Sequence, residues 1–180
     1  IGFKNDGQMF LDARDMFINI LEKKVTAVER TGLLKVLSRY YPVTLFSDVT
    51  DTELQNVAFK GYVNYLTEMP DVFRRSRINL NITLRSIQSG IPLRCLDIMG
   101  AGGFLMSNYQ PELAQIFENG REMAMYESKE DLLDKVNYYL THEEERKEIA
   151  YLGREKVRKE YDYKVAVQKI VEIVKTDKLS

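Results

Sequence analysis

The residues best suited to chemistry lie between Arg85 and Asp97, in the run RSIQSGIPLRCLD. Gly90 permits a backbone angle that side chains disfavour. Pro92 fits the first turn of a helix, where its missing N–H costs nothing. A helix opening there points free N–H groups and a positive dipole end at what precedes it, an arrangement that binds anions. Arg85 and Arg94 flank that end and can pair with a diphosphate. Asp97 falls about one turn into the helix, where a carboxylate can accept both hydroxyls of a ribose. Read this way, the run grips a nucleotide. It also reads as a plain capped helix with two surface arginines and a solvated acid, and position alone leaves both open.

These residues must be held by a strand, a loop, a helix, a glycine turn and a second strand. Ile78–Ile82 is the first strand, residues 83–90 the loop, and Leu93–Ala101 the helix. Gly102-Gly103 stops that helix and Phe104–Ser107 is the next strand. The run Gly100-Ala101-Gly102-Gly103 suits close packing of helix against strand. It is not a dinucleotide fingerprint, because its glycines follow a helix rather than open one.

Outward from there, apolar residues at helical spacing (Met9, Phe10, Ala13, Met16, Phe17, Ile20, Leu21) predict a helix over 8–24. A second is expected over 26–41, ended by Pro42. Val43–Phe46 reads as a short strand, 47–56 as a polar turn, and Val57–Val63 as a strand interrupted by Gly61. Pro70 opens a short helix, Pro111 another to Phe117, and Met123–Tyr126 is a last strand. Ser128 with Asp131 forms a rough capping pattern for a helix whose apolar face carries Leu132, Leu133, Val136, Tyr139 and Leu140. Glu143–Glu160 is a charged helix, and Tyr163, Val167, Ile170, Val171 and Val174 mark a final amphipathic one. Short apolar strands alternating with helices predict an α/β, doubly wound, Rossmann-like parallel sheet covered on both faces, in a single domain. Ligands of such sheets sit beyond the carboxyl ends of the strands, which points to the loops after Val63, Ile82 and Ser107.

Composition bounds the alternatives. The chain has 180 residues, 26 basic and 27 acidic side chains and net charge −1. No global field favours nucleic acid, and no basic stripe interleaved with aromatics is present. No apolar run approaches the ~18 residues a membrane span needs. The start, IGFKNDGQMF, lacks the pattern of a signal peptide. It does not begin with Met, so a fragment cut near a domain border is expected, with 1–28 as a helical lead-in. Cys95 is the sole cysteine. It reads as a small buried hydrophobe and fits a cytoplasmic setting. His142 is the sole histidine, expected to be exposed near a helix end. A histidine-built zinc site or dyad is thereby excluded or nearly so, and no acidic cluster suited to a metal is evident. The EEER run at 143–146 reads as a solvated face, and Tyr40-Tyr41 and Tyr138-Tyr139 as core-and-edge pairs.

The run INLNITLRSIQSGIPLRCLDIMGAGGFLMSNYQPEL resembles the signature of the CgeB-like glycosyltransferases. The resemblance extends to ERTGLLKVL, to KGYVNYLTEMPDVFRRS and to the DLLDKVNYYL and EEERKEIAYLGREKV segments, covering about Glu29 to Val171. It implies the C-terminal, nucleotide-sugar-binding half of a two-domain GT-B enzyme. The donor sugar expected on this reading is UDP-linked, with no further cofactor. The acceptor (a sugar, protein or other polymer) would be brought by an N-terminal domain of the same chain. Many such enzymes carry two acids separated by seven residues. Asp97 falls on the second, which contacts the ribose. Ser89 falls on the first, which lies near the donor sugar, and is not acidic; Gly90 and Ile91 would offer backbone N–H groups instead. The resemblance places Gly61-Tyr62-Val63 at the nucleobase, Arg85 and Ser86 beside the phosphates, and Pro92, Leu93 and Arg94 at the helix start. The glycine-rich strand-turn that usually opens this half-enzyme is not found, and little or no transfer activity is expected of the half alone. Two other readings remain: a non-catalytic GT-B-like structural protein of the spore-coat type, and a flavodoxin-like signalling domain. The second would need an acidic cluster for which only Asp48 and Asp51 are candidates, and no matching lysine strand is evident.

Overall fold

A computed structural model describes residues 13–47, 54, 56–83 and 90–177. The chain opens with one long helix, α1 (Ala13–Tyr40), where two were expected. No proline interrupts it before Pro42, and Gly32 within it is tolerated at a cost of about 1 kcal/mol. There follow β1 (Val43–Leu45), β2 (Val57–Phe59), α2 (Met69–Arg75), β3 (Asn79–Asn81) and α3 (Leu93–Gly100). The chain ends with β4 (Leu105–Asn108), α4 (Pro111–Ile116), β5 (Ala124–Tyr126), α5 (Lys129–Thr141), α6 (Glu143–Glu160) and α7 (Tyr163–Asp177).

Every strand pairing is parallel, as the alternation of elements predicts. The strands form two ladders among the described residues, β1–β2 and β3–β4–β5, rather than one continuous sheet. Phe46 and Val63, which follow β1 and β2, still pack against the core that α3 covers.

Side chains alternate across β4 and β5 with the period of two that a strand imposes. Leu105, Met123 and Met125 join Cys95, Ile98 and Met99 of α3, Phe73 of α2 and Val157 of α6 in one cluster. Met106, Ala124 and Tyr126 join Leu37 of α1, Leu132, Val136 and Tyr139 of α5 and Ile149 of α6 in another. The three-stranded sheet is therefore covered on both faces, which explains why its strands read as continuous apolar runs.

Two buried asparagines lock β3 in place. Asn79 Nδ2 donates to the Phe73 carbonyl at 2.8 Å and to the Phe104 carbonyl at 3.2 Å. Asn81 Nδ2 donates to Thr83 Oγ1 at 2.9 Å and Ser107 Oγ at 3.0 Å. The end of α3 is a Schellman turn: Gly102, at φ +84°, donates to Met99 O, and Gly103 to Ile98 O. This is the close helix-to-strand packing expected of the glycine run.

Ser128 caps α5 as its spacing predicts. Its Oγ accepts from Asp131 N at 3.1 Å, and Asp131 Oδ2 accepts from Glu127 N at 3.0 Å. Tyr138 is exposed and Tyr139 buried, and His142 is an exposed cap residue stacked on Tyr138 at 3.9 Å. Met16, Phe17, Ile20 and Leu21 lie on a helix as their spacing predicts, and all four are exposed. Arg30 is level with the carboxyl end of β3. A helix of 28 residues spans about 42 Å, several times the length of these strands. The apolar side chains of α7, among them Ile170 and Val174, are likewise exposed.

Candidate nucleotide site

The parallel ladder brings the carboxyl ends of β3, β4 and β5 to one edge. Thr83, just past β3, is buried, and its N–H donates to Asn108 Oδ1 at 2.8 Å across to the end of β4. Tyr109 N donates to Tyr126 O at 2.8 Å, tying β4 to β5 at the same edge. Gly90 has φ +90°, the left-handed conformation its residue type was expected to supply. Pro92 occupies the cap position, one residue before α3 proper, and its carbonyl accepts from Cys95 N at 2.8 Å. Pro92 has no side chain that could cap α3. Among the described residues the opening N–H groups of this helix meet no side-chain cap, an arrangement that suits an anion.

Ile91 is half-buried against the core, while Leu93 is 76% exposed. Arg94 and Asp97 are both exposed on the outer side of α3. Gly61 takes φ +67° in the loop after β2; Tyr62 is 74% exposed and Val63 half-buried. Arg85, Ser86 and Ser89 lie outside the described residues, as do Asp48 and Asp51.

Two participants were missed. Arg30 of α1 reaches the carboxyl end of β3, where its Nη2 donates to Ile82 O at 2.7 Å and its Nε at 3.3 Å. Partial burial, and next the charge of Arg94, hold this guanidinium below its ordinary pKa. Among the described residues neither Arg30 nor Arg94 is paired with a carboxylate. Two guanidinium groups whose charges repel, with no carboxylate partner among the described residues, suit an anion nearby. The sequence held no signal for this, since Arg30 and Ile82 are 52 positions apart.

The second is Tyr65, whose hydroxyl donates to Asp97 Oδ2. Its ring carries the Arg94 guanidinium 5.7 Å from the ring centre. Burial first, and the bond to Asp97 next, push its pKa up to about 12, so it stays a donor across the physiological range. A capped turn aims it: Asn64 Oδ1 accepts from Leu66 N at 3.0 Å and Thr67 N at 3.1 Å, and Glu68 Oε2 accepts from Asn64 N at 2.8 Å. Asn64, a residue type that favours such side-chain-to-backbone turns, was a legible local signal for it. Tyr65, Leu66, Pro70, Phe73, Leu96 and Asp97 line a groove of about 370 Å³ between this turn and α3.

Cys95 is fully buried, and burial pushes its thiol up to about 12, which suits a core residue and not a nucleophile. Among the described residues, no three acidic, histidine or cysteine side chains are grouped to hold a metal.

A parallel α/β domain with this edge is the architecture of the C-terminal half of a GT-B glycosyltransferase. The structure is similar to the 1.35 Å crystal structure of the C-terminal domain of a glycosyl transferase group 1 family protein, LpcC, from Francisella tularensis. The TM-score is 0.57 at 17% identity, covering 79% of this chain and 81% of that one. No curated protein matches the sequence. The model of the glycosyl transferase-like family matches residues 27–172, and the chain belongs to that family.

Proposed function

We propose that this domain binds a nucleoside diphosphate sugar at the carboxyl edge of β3 and β4. The observation carrying the proposal is the convergence there of Arg30, Arg94, the uncapped start of α3 and the Asp97 carboxylate. In this reading the diphosphate lies against Gly90, Ile91, Pro92, Leu93 and the two arginines, with Arg85, Ser86 and Ser89 in the adjoining loop. The ribose hydroxyls meet Asp97, and the base lies toward Gly61, Tyr62 and Val63. The proposed donor is UDP-linked, the branch CgeB-like, and the setting cytoplasmic. Transfer goes to an acceptor sugar, protein or other polymer held by an N-terminal partner domain of the same chain. The positive groups then stabilise the departing diphosphate in a closed, water-poor cleft. No cofactor is assigned.

Ser89, standing where many relatives carry an acid, favours one second reading: a GT-B-like domain that has kept the fold without transfer. Calorimetric titration with UDP, GDP and ADP, with Asp97→Ala as control, tests the proposal. Saturable binding of one nucleotide, lost in the variant, supports a donor site. Equal binding by wild type and Asp97→Ala contradicts it.

A further inference from the structure

We propose that Tyr65 is a positioning residue that holds Asp97 ready for the ribose and keeps Arg94 from neutralising it. The inference rests on the donor-site reading above. Arg94 and Asp97 are three positions apart on α3, a spacing at which an arginine and an aspartate ordinarily pair. Here they do not pair. The Tyr65 hydroxyl donates to Asp97 Oδ2, and the Arg94 guanidinium lies over the Tyr65 ring at 5.7 Å instead. One side chain therefore does two things. It takes a single oxygen of the carboxylate and leaves the other to accept from a diol. It also gives Arg94 an alternative partner through its ring face, so the guanidinium stays available to phosphate.

The orientation of Tyr65 is not left to its own torsions. Asn64 accepts from the N–H groups of Leu66 and Thr67, and Glu68 accepts from the Asn64 N–H, which fixes the turn carrying the ring. The hydroxyl remains protonated well above neutral pH, so its donor role does not lapse in the physiological range. The ring and hydroxyl functions are separable, because phenylalanine keeps the first and deletes the second.

The test is calorimetric titration of wild type, Tyr65→Phe, Tyr65→Ala and Asp97→Ala. The ligands are the nucleoside diphosphate that wild type binds and its 2′-deoxy counterpart, with thermal melts confirming that each variant folds. Tyr65→Phe is expected to weaken the ribonucleotide about 10-fold or more, as loss of one charge-assisted hydrogen bond implies, and the deoxynucleotide less than about 2-fold. Tyr65→Ala is expected to weaken both, because Arg94 then closes onto Asp97. Wild-type affinity in Tyr65→Phe, or equal losses for both nucleotides, overturns the inference while Asp97→Ala still loses binding. If wild type binds no nucleotide, or Asp97→Ala binds as wild type does, the donor-site reading itself fails and this inference falls with it.

Discussion

Three glycines give a graded test of how tightly the site is braced. A Cβ on Gly103 would stand 2.7 Å from both the Phe73 carbonyl oxygen and Asn79 Nδ2, and 3.1 Å from the Phe73 carbonyl carbon. That is about 0.7 Å inside ordinary contact, and the obstruction is backbone at the end of α2 that cannot rotate away. The same carbonyl accepts the buried bond from Asn79 that fixes β3. Gly103→Ala thus overpacks the junction, at about 1–3 kcal/mol, and disturbs a buried hydrogen bond, at about 1–3 kcal/mol. The expected loss is roughly 2–6 kcal/mol, or on the order of 4–24 °C in Tm for a domain of this size. Gly153→Ala is expected to be worse, because its Cβ would lie 2.2 Å from the Glu122 carbonyl oxygen. Gly100→Ala meets only Val157 Cγ1 at 3.5 Å, an ordinary contact. It is expected to raise stability by up to about 1 kcal/mol through helix propensity. Thermal denaturation followed by circular dichroism reads all three. Melting points within about 1 °C of one another, or Gly100→Ala as the least stable, would refute the packing argument.

Other consequences follow from single side chains. Ser128→Ala deletes the cap of α5 and should cost about 1 kcal/mol in denaturant unfolding; no change would mean that Asp131 suffices alone. The buried Tyr126 hydroxyl has no hydrogen-bond partner among the described residues, so Tyr126→Phe should be neutral or stabilising by about 1 kcal/mol, and a clear loss of stability would contradict that. Cys95 is protonated in the fold up to about 12 and its ordinary value is 9.0. The unfolded chain therefore sheds this proton first as pH rises. Stability is full below pH 9.0 and falls through about 12, at a slope of up to about 1.4 kcal/mol per pH unit. The stability deficit of Cys95→Ala, measured by urea unfolding from neutral pH upward, should shrink over that window.

The parts of the molecule legible in the sequence were those set by neighbours along the chain. The cap at Ser128, the α6 limits at Glu143 and Glu160, the turn at Gly102-Gly103 and the positive φ of Gly90 each depend on a few adjacent residues. The buried strands were legible because apolar runs between turn signals have few other solutions. Spacing gave the helix but not its burial, which tertiary placement decides: Met16, Phe17, Ile20 and Leu21 lie on α1 as predicted and are exposed. The site was half legible. Gly90, Pro92, Arg94 and Asp97 come from one local segment. Arg30 and Tyr65 join them only through contacts 52 and 32 positions distant, and a single sequence carries no mark of such a pair.

The most direct test of the donor-site account is a crystal structure of the protein soaked with UDP. The account predicts diphosphate density between Arg30, Arg94 and the start of α3, with the ribose hydroxyls on Asp97. Nucleotide seated elsewhere, such as on the charged surface around Arg158, Lys159 and Lys164, would contradict it.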